Sequence, residues 1–290
     1  MNLDVVLKDV CLNYKTLKAL KDVSFSLSPG KIYGLMGRNG AGKTSLLSLL
    51  ASYRQPSSGI IRIGGEEPFE NRKIMSNVSF SYMTDYSDED EQVSCYLEFS
   101  ERYRPDFDLK YATELAAQFK LPLDKPINKL SSGKQSALNA TLGLASRTPV
   151  TIFDEVYVGM DAPARDLFYR EVLEEQSRHP RLIILSTHLV SEMEYLFDHV
   201  LILDQGTLKI DKPIDEVMSR GASITGEAEL VDSFVSSMTQ LNTKQLGSTK
   251  SVMVYEDITE TQRFEAETLG LEIGSVALQD LFIHLTREEE

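Results

Sequence analysis

The sequence predicts an α/β fold in which a parallel sheet, covered by helices, is built around a glycine-rich loop. A helical insertion interrupts this core, and a small α/β unit follows it. Three observations carry that reading. Short, nearly all-apolar runs at residues 150–153, 182–186 and 200–203 are separated by helical patterns, as expected for strands buried on both faces beneath crossover helices. A glycine-rich stretch at 37–44 lies between a β-rich run and a helical pattern. Beyond residue 220, strand and helix signals repeat on a smaller scale, and the charge balance changes.

Taken in order, residues 27–30 end a strand at a Pro-Gly turn. Residues 31–36 form the β-rich run that enters the glycines, and residues 44–51 carry the helical pattern beyond them. Residues 93–103, 109–119 and 132–145 read as helices, so an insertion at about 86–146 divides the core. The apolar strands at 150–153, 182–186 and 200–203 then resume it. Residues 219–226 hold two glycines, two serines and a threonine and read as a linker. The expected division is therefore 1–220 and 221–290. In the second part, residues 251–255 and 271–273 read as strands and 278–285 as a helix.

Composition limits the function. With 290 residues, the chain holds one large domain and something smaller. Apolar residues make up 42% and charged residues 26%, the balance of a globular protein with a core. Lys plus Arg number 30 against 44 Asp plus Glu, a net charge of −14, which disfavours a nucleic-acid partner. The excess is concentrated in residues 221–290, with 4 basic and 13 acidic side chains. Cys11 and Cys95 cannot build a disulfide framework, and the opening residues lack a charged-then-apolar leader pattern; both fit a reducing cytosol. No apolar run is long enough to span a bilayer.

Gly37-Arg38-Asn39-Gly40-Ala41-Gly42-Lys43-Thr44 matches the P-loop pattern in full. Glycines let the backbone wrap a phosphate with successive N–H groups pointing inward, and the helix that starts at Lys43 adds its positive end. Gly37, Asn39, Gly40, Ala41, Gly42, Lys43, Thr44 and Ser45 are the expected nucleotide-binding residues. Lys43 would reach the β- and γ-phosphates, and the Thr44 hydroxyl would ligate Mg²⁺. Downstream, Asp154 closes an apolar strand and is placed to hold the Mg²⁺ shell, while Glu155 could polarise an attacking water.

With these sites in place, Leu130-Ser131-Ser132-Gly133-Lys134-Gln135 resembles the signature sequence of ABC ATPases. The resemblance covers about residues 3–220, in the order P-loop, helical insertion, signature, Asp-Glu strand and Ser186-Thr187-His188. It implies that His188 is the switch histidine that contacts the γ-phosphate. Asp161 falls in the D-loop position, and Tyr14 takes the place of the aromatic residue that stacks on adenine. It further implies that ATP is sandwiched between the P-loop of one subunit and Ser131 and Gly133 of another. ATP and Mg²⁺ are then the expected ligands. The expected partners are integral membrane permease subunits and a second ATPase subunit, identical or not. The expected location is the cytoplasmic face of the membrane. Competing readings are an ABC ATPase uncoupled from transport and a nucleotide-dependent regulator.

The chain departs from the family pattern at several positions. Ser132 replaces a glycine and Lys134 a glutamine, and Lys134 is expected to add charge near the phosphate. No glutamine lies between Ile74 and Glu91, where the family's Q-loop belongs, so Thr84 or Asp85 is the expected substitute ligand. Val156 stands where a proline is usual. The acidic run 85–91 reads as a solvated loop beside the expected permease groove. His179, His199 and His284 read as ordinary surface or core histidines. The overall resemblance is to ATPases of multidrug, bacitracin or lantibiotic-type export and immunity systems with a C-terminal extension, here a regulatory or dimer-stabilising module.

Overall fold

The computed structural model describes residues 3–286. A hairpin of β1 (Val5–Tyr14) and β2 (Leu17–Leu27) leads into β3 (Ile32–Met36), the glycine-rich loop and α1 (Lys43–Leu50). Next come β4 (Ser58–Ile63), the one-turn α2 (Arg72–Met75) and β5 (Val78–Tyr82). Three helices follow: α3 (Val93–Tyr103), α4 (Leu109–Gln118) and α5 (Ser132–Ala145). The chain continues through β6 (Val150–Asp154), α6 (Ala162–Arg178), β7 (Leu182–Thr187) and the short α7 (Val190–Met193). Then come β8 (His199–Asp204), β9 (Thr207–Pro213) and α8 (Ile214–Arg220). The tail comprises β10 (Gly221–Glu227), α9 (Ala228–Phe234), β11 (Gln240–Leu246), β12 (Thr249–Tyr255), α10 (Glu260–Thr268), β13 (Glu272–Ser275) and α11 (Leu278–Leu285).

The central sheet has the order β5-β6-β7-β3-β8-β9, parallel except for the hairpin partner β9. Alternating side chains of its strands feed two separate cores. Tyr33, Leu35, Ile152, Leu182, Ile184, Leu201 and Leu203 pack against α1 and the antiparallel sheet β2-β1-β4. Ile32, Met36, Phe153, Ile183, Leu185, Val200 and Ile202 face the helices of the other side. Burial on both faces explains why these strands read as continuous apolar runs. Each fully buried Leu or Ile contributes about 1.5–3 kcal/mol.

The tail forms a third sheet, antiparallel and ordered β11-β12-β10-β13. With its sequence β-α-β-β-α-β, this is a split β-α-β arrangement. The stretch expected as a linker is instead β10, a central strand. Ala222 and Ile224 alternate into the tail core, and its glycines let large side chains close in: a β-carbon on Gly226 would stand 2.4 Å from Leu271. Composition alone suggested a loop; close packing selects a strand. Residues 272–275 form a strand shifted slightly from expectation, and β11, largely exposed, carried no apolar alternation to announce it.

The last helix joins tail and core. Leu278, Leu281 and Phe282 of α11 belong to the same buried cluster as Val190 and Met193 of α7, while Met253 and Tyr255 of β12 pack against that cluster. At its far end, α11 meets the glycine-rich loop. Arg38 Nη2 donates to the Ile283 carbonyl at 3.5 Å and Nε to Thr286 Oγ1 at 3.4 Å. A cation at the carboxyl end of a helix is favoured by the helix dipole.

Candidate active site

The carboxyl ends of β3, β6 and β7 meet at one edge of the sheet, and the loops leaving them bring together residues remote in sequence. β3 ends at Met36, and residues 37–42 turn back into α1. Two glycines make that turn possible: Gly40 and Gly42 have φ of +83° and +107°, which L side chains rarely adopt. A β-carbon on Gly37 would stand 2.6 Å from the Leu203 carbonyl oxygen. Gly42 is also the N-cap of α1; having no side chain, it leaves the first N–H groups of the helix to an anion.

Lys43, only 6% exposed, folds into this loop. Its Nζ donates to the carbonyls of Gly37 at 2.7 Å and Arg38 at 3.4 Å and lies 3.2 Å from Glu155 Oε1. The neighbouring Thr44 Oγ1 donates to Asp154 Oδ2 at 2.7 Å. Parallel register places Asp154 beside Ser186, whose hydroxyl donates to Asp154 Oδ1 and accepts from the Glu155 N–H at 3.0 Å. Glu155 takes a left-handed backbone (φ 50°) where β6 gives way to the loop. Its carboxylate bridges two cationic or polar partners: Oε2 lies 3.3 Å from His188 Nδ1, opposite the Lys43 contact. One connected network thus holds Lys43, Thr44, Asp154, Glu155 and His188.

Tyr14, Asn39, Gly40, Gly42, Lys43, Thr44, Ser45 and Glu155 line one cleft of about 680 Å³. Gly37 and Ala41 form its buried support. Tyr14 OH meets Ser45 Oγ at 3.3 Å, and the Arg54 guanidinium lies 4.8 Å from the centre of the Tyr14 ring. Leu17, Lys18, Ala19, Lys21, Gln205 and Gly206 also line it, none of them expected from the sequence. The contacting hydroxyl of Thr44 and carboxylate of Asp154 are hard oxygen donors of the kind that Mg²⁺ takes beside nucleotide phosphates.

Ser131, Gly133 and Asp161 are not in that cleft. They line a smaller one of about 150 Å³, between the start of α5 and the loop before α6. Ser131 is the N-cap residue of α5. Asp161 caps α6, its Oδ1 accepting from the Ala164 N–H at 3.0 Å. Ser136 Oγ donates to the Val158 carbonyl at 2.6 Å and fastens α5 to the same loop.

Lys134 lines the same small cleft as Ser131 and Gly133, and its Nζ donates to the Phe119 carbonyl at 2.5 Å, at the end of α4. The helix dipole favours that placement. Thr84 and Asp85 are engaged within their own loop, Thr84 donating to the Tyr82 carbonyl at 3.4 Å and Asp85 accepting from the Ser87 N–H at 3.0 Å. Ser186 and Tyr157 were missed as members of the network. The signal for Ser186 is positional, because it ends the strand beside the one that Asp154 ends. Tyr157 gave no signal beyond its place two residues after Glu155.

A P-loop beside an Asp-Glu pair and a histidine, each at the end of a parallel strand, defines a nucleoside-triphosphate-hydrolysing α/β protein. The sequence profile of the ABC transporter family matches residues 20–158. The chain is 28% identical over 200 residues to the ABC transporter ATP-binding protein YtrB of Bacillus subtilis, covering 69% of this chain and 68% of that one. It is 28% identical to NatA of the same organism over 216 residues, 72% and 83% of the two chains. The Nod factor export ATP-binding protein I of Paraburkholderia xenovorans is 30% identical over 203 residues, 67% of this chain and 66% of that one. Among solved structures, an ATP-binding subunit of an ABC transporter gives a TM-score of 0.64 at 22% identity, covering 73% of this chain and 91% of that one. A dimeric bacterial ABC transporter cassette gives 0.61 at 19%, covering 72% and 98%. At such identities the structural likeness shows the fold. The chain belongs to the ABC ATPases: it is an ATP-binding and ATP-hydrolysing subunit of an ABC transporter. Among the described residues, no helix is long and apolar enough to cross a membrane.

Proposed function

We propose that this subunit works as half of an ATP-clamped dimer that drives separately encoded permease subunits from the cytoplasmic face of the membrane. The observation that carries the reading is the single network of Lys43, Thr44, Asp154, Glu155 and His188 at the mouth of the glycine loop. In this reading the N–H groups of residues 39–45 and the Lys43 ammonium bind the β- and γ-phosphates, and Tyr14 stacks on adenine. Thr44 and Asp154 would hold Mg²⁺, which when bound neutralises phosphate charge. Glu155 orients and deprotonates the attacking water, and His188 donates a hydrogen bond to the γ-phosphate.

Ser131 and Gly133 line a cleft apart from the P-loop of the same chain, which supports a role toward nucleotide bound by the partner. Asp161 would meet that partner through the same loop. A γ-phosphate held by both subunits makes the dimer depend on ATP, and hydrolysis releases it. For the permease, an exposed aromatic group supports docking beside the loop at 83–91. Tyr53, Phe80 and Tyr82 cluster with ring centroids 4.8 to 5.8 Å apart, and Tyr53 is 59% and Met83 55% exposed.

The test is Glu155→Gln. ATP binding should persist while turnover falls by about 10²-fold or more, and Mg-ATP should hold the variant as a dimer on a sizing column. Turnover equal to wild type would remove Glu155 from the mechanism, and a monomer under Mg-ATP would remove the clamp.

A further inference from the structure

We propose that Tyr157 is a positioning residue that fixes the tautomer of His188, leaving the imidazole proton on Nε2. This rests on the reading of His188 as a γ-phosphate partner and says how that ring is prepared.

The argument is an accounting of protons around one buried oxygen. Tyr157 is 2% exposed and sits in the loop between β6 and α6. Its hydroxyl oxygen accepts from Thr187 Oγ1 at 3.0 Å and from the His188 backbone N–H at 3.1 Å. Thr187 Oγ1 in turn accepts from the Leu189 N–H at 2.9 Å, so the threonine proton is the one directed at Tyr157. With the Leu189 N–H also directed at the phenol oxygen, both phenol lone pairs are used, and the phenol keeps one proton to give. The acceptor within its reach is His188 Nδ1, at 3.2 Å. Donation from Tyr157 makes Nδ1 an acceptor and puts the ring proton on Nε2.

Burial pushes the Tyr157 phenol up to about 12, so it remains a donor throughout the neutral range. The competing arrangement is also visible. Glu155 Oε2 lies 3.3 Å from Nδ1, and an Nδ1 proton would be drawn to it. That would leave the Tyr157 proton without Nδ1 as its acceptor and Nε2 without a hydrogen to offer. Lys43, 3.2 Å from the other carboxylate oxygen, already compensates the Glu155 charge and weakens that pull. The tyrosine therefore does two things: it holds the backbone after β7 through Thr187 and His188, and it selects which ring nitrogen is bare.

The experiment is ¹⁵N-histidine NMR on the full chain at neutral pH, with His188 assigned from its loss in His188→Ala. Wild type should show a bare Nδ1 and a protonated Nε2. Protonation of Nδ1 in wild type overturns the proposal without reference to any variant. Tyr157→Phe, which removes a single oxygen, should return His188 to a tautomer mixture and lower turnover about tenfold or more while ATP affinity stays within about twofold. An unchanged tautomer and rate in Tyr157→Phe would also overturn it. If wild type shows the bare Nδ1 but His188→Ala turns over normally, the γ-phosphate reading of His188 fails and the positioning role for hydrolysis falls with it.

Discussion

Gly133 and Gly159 pass so closely that a β-carbon on Gly133 would stand 2.4 Å from the Gly159 carbonyl oxygen. The start of α5 and the loop before α6 are therefore packed backbone to backbone, further fastened by Ser136 on the Val158 carbonyl. Gly133→Ala should push the two apart by a substantial fraction of an ångström. Because the P-loop is elsewhere, nucleotide affinity of the isolated subunit should change less than twofold. Turnover should fall roughly 10- to 100-fold, the order expected for a small misplacement of a positioned group. Nucleotide titration and phosphate release measured on the same preparation check both halves.

Lys43→Ala removes the ammonium that meets Gly37, Arg38 and Glu155. Loss of a charge-assisted contact to phosphate should weaken ATP binding about 10- to 100-fold, or roughly 1.4–2.7 kcal/mol. Calorimetric titration with ATP checks this; equal affinity would refute the cradle.

Ser186→Ala strips Asp154 of one donor and leaves the Glu155 N–H without its acceptor. Leaving buried polar groups unpaired costs about 1–3 kcal/mol, so chemical denaturation should show a loss of that size. Turnover should fall as well, because the Glu155 turn is no longer fixed. Urea unfolding and the ATPase rate report the two effects separately.

Buried phenols set the alkaline limit. Tyr86 and Tyr157 are each pushed up to about 12, and Tyr111 and Tyr169 higher still, chiefly by burial. Below the unfolded pKa near 10, both states keep the proton and stability is unaffected. Between about pH 10 and 12 the unfolded chain releases protons that the folded chain retains, so stability falls as pH rises, by up to about 1.4 kcal/mol per pH unit for each tyrosine. Denaturation curves from pH 9 to 12 should show this slope, and Tyr86→Phe should reduce it.

Much of the site could be read from the sequence because its chemistry is local. The P-loop is a run of eight residues whose glycines, lysine and threonine each answer to one requirement of a wrapped phosphate. The Asp-Glu pair and His188 end apolar strands, and strands buried on both faces announce themselves. What could not be read depends on contacts across the chain. Nothing near Lys134 in sequence says that the end of α4 lies within reach of its ammonium. Tyr157 matters only because the turn after β6 brings its oxygen to the backbone after β7. β10 looked like a linker because its glycines, read alone, signal freedom; against Leu271 they signal proximity.

Arg38 belongs to the glycine-rich loop, and its guanidinium closes the last turn of α11. One side chain thus ties the fuel-sensing loop to the split β-α-β module some 250 residues downstream. Reciprocity sets the terms: if ATP binding shifts the hold of Arg38 on α11, displacing α11 changes ATP affinity by the same factor. Any coupling between the acidic tail and the nucleotide loop has these two contacts as a direct route.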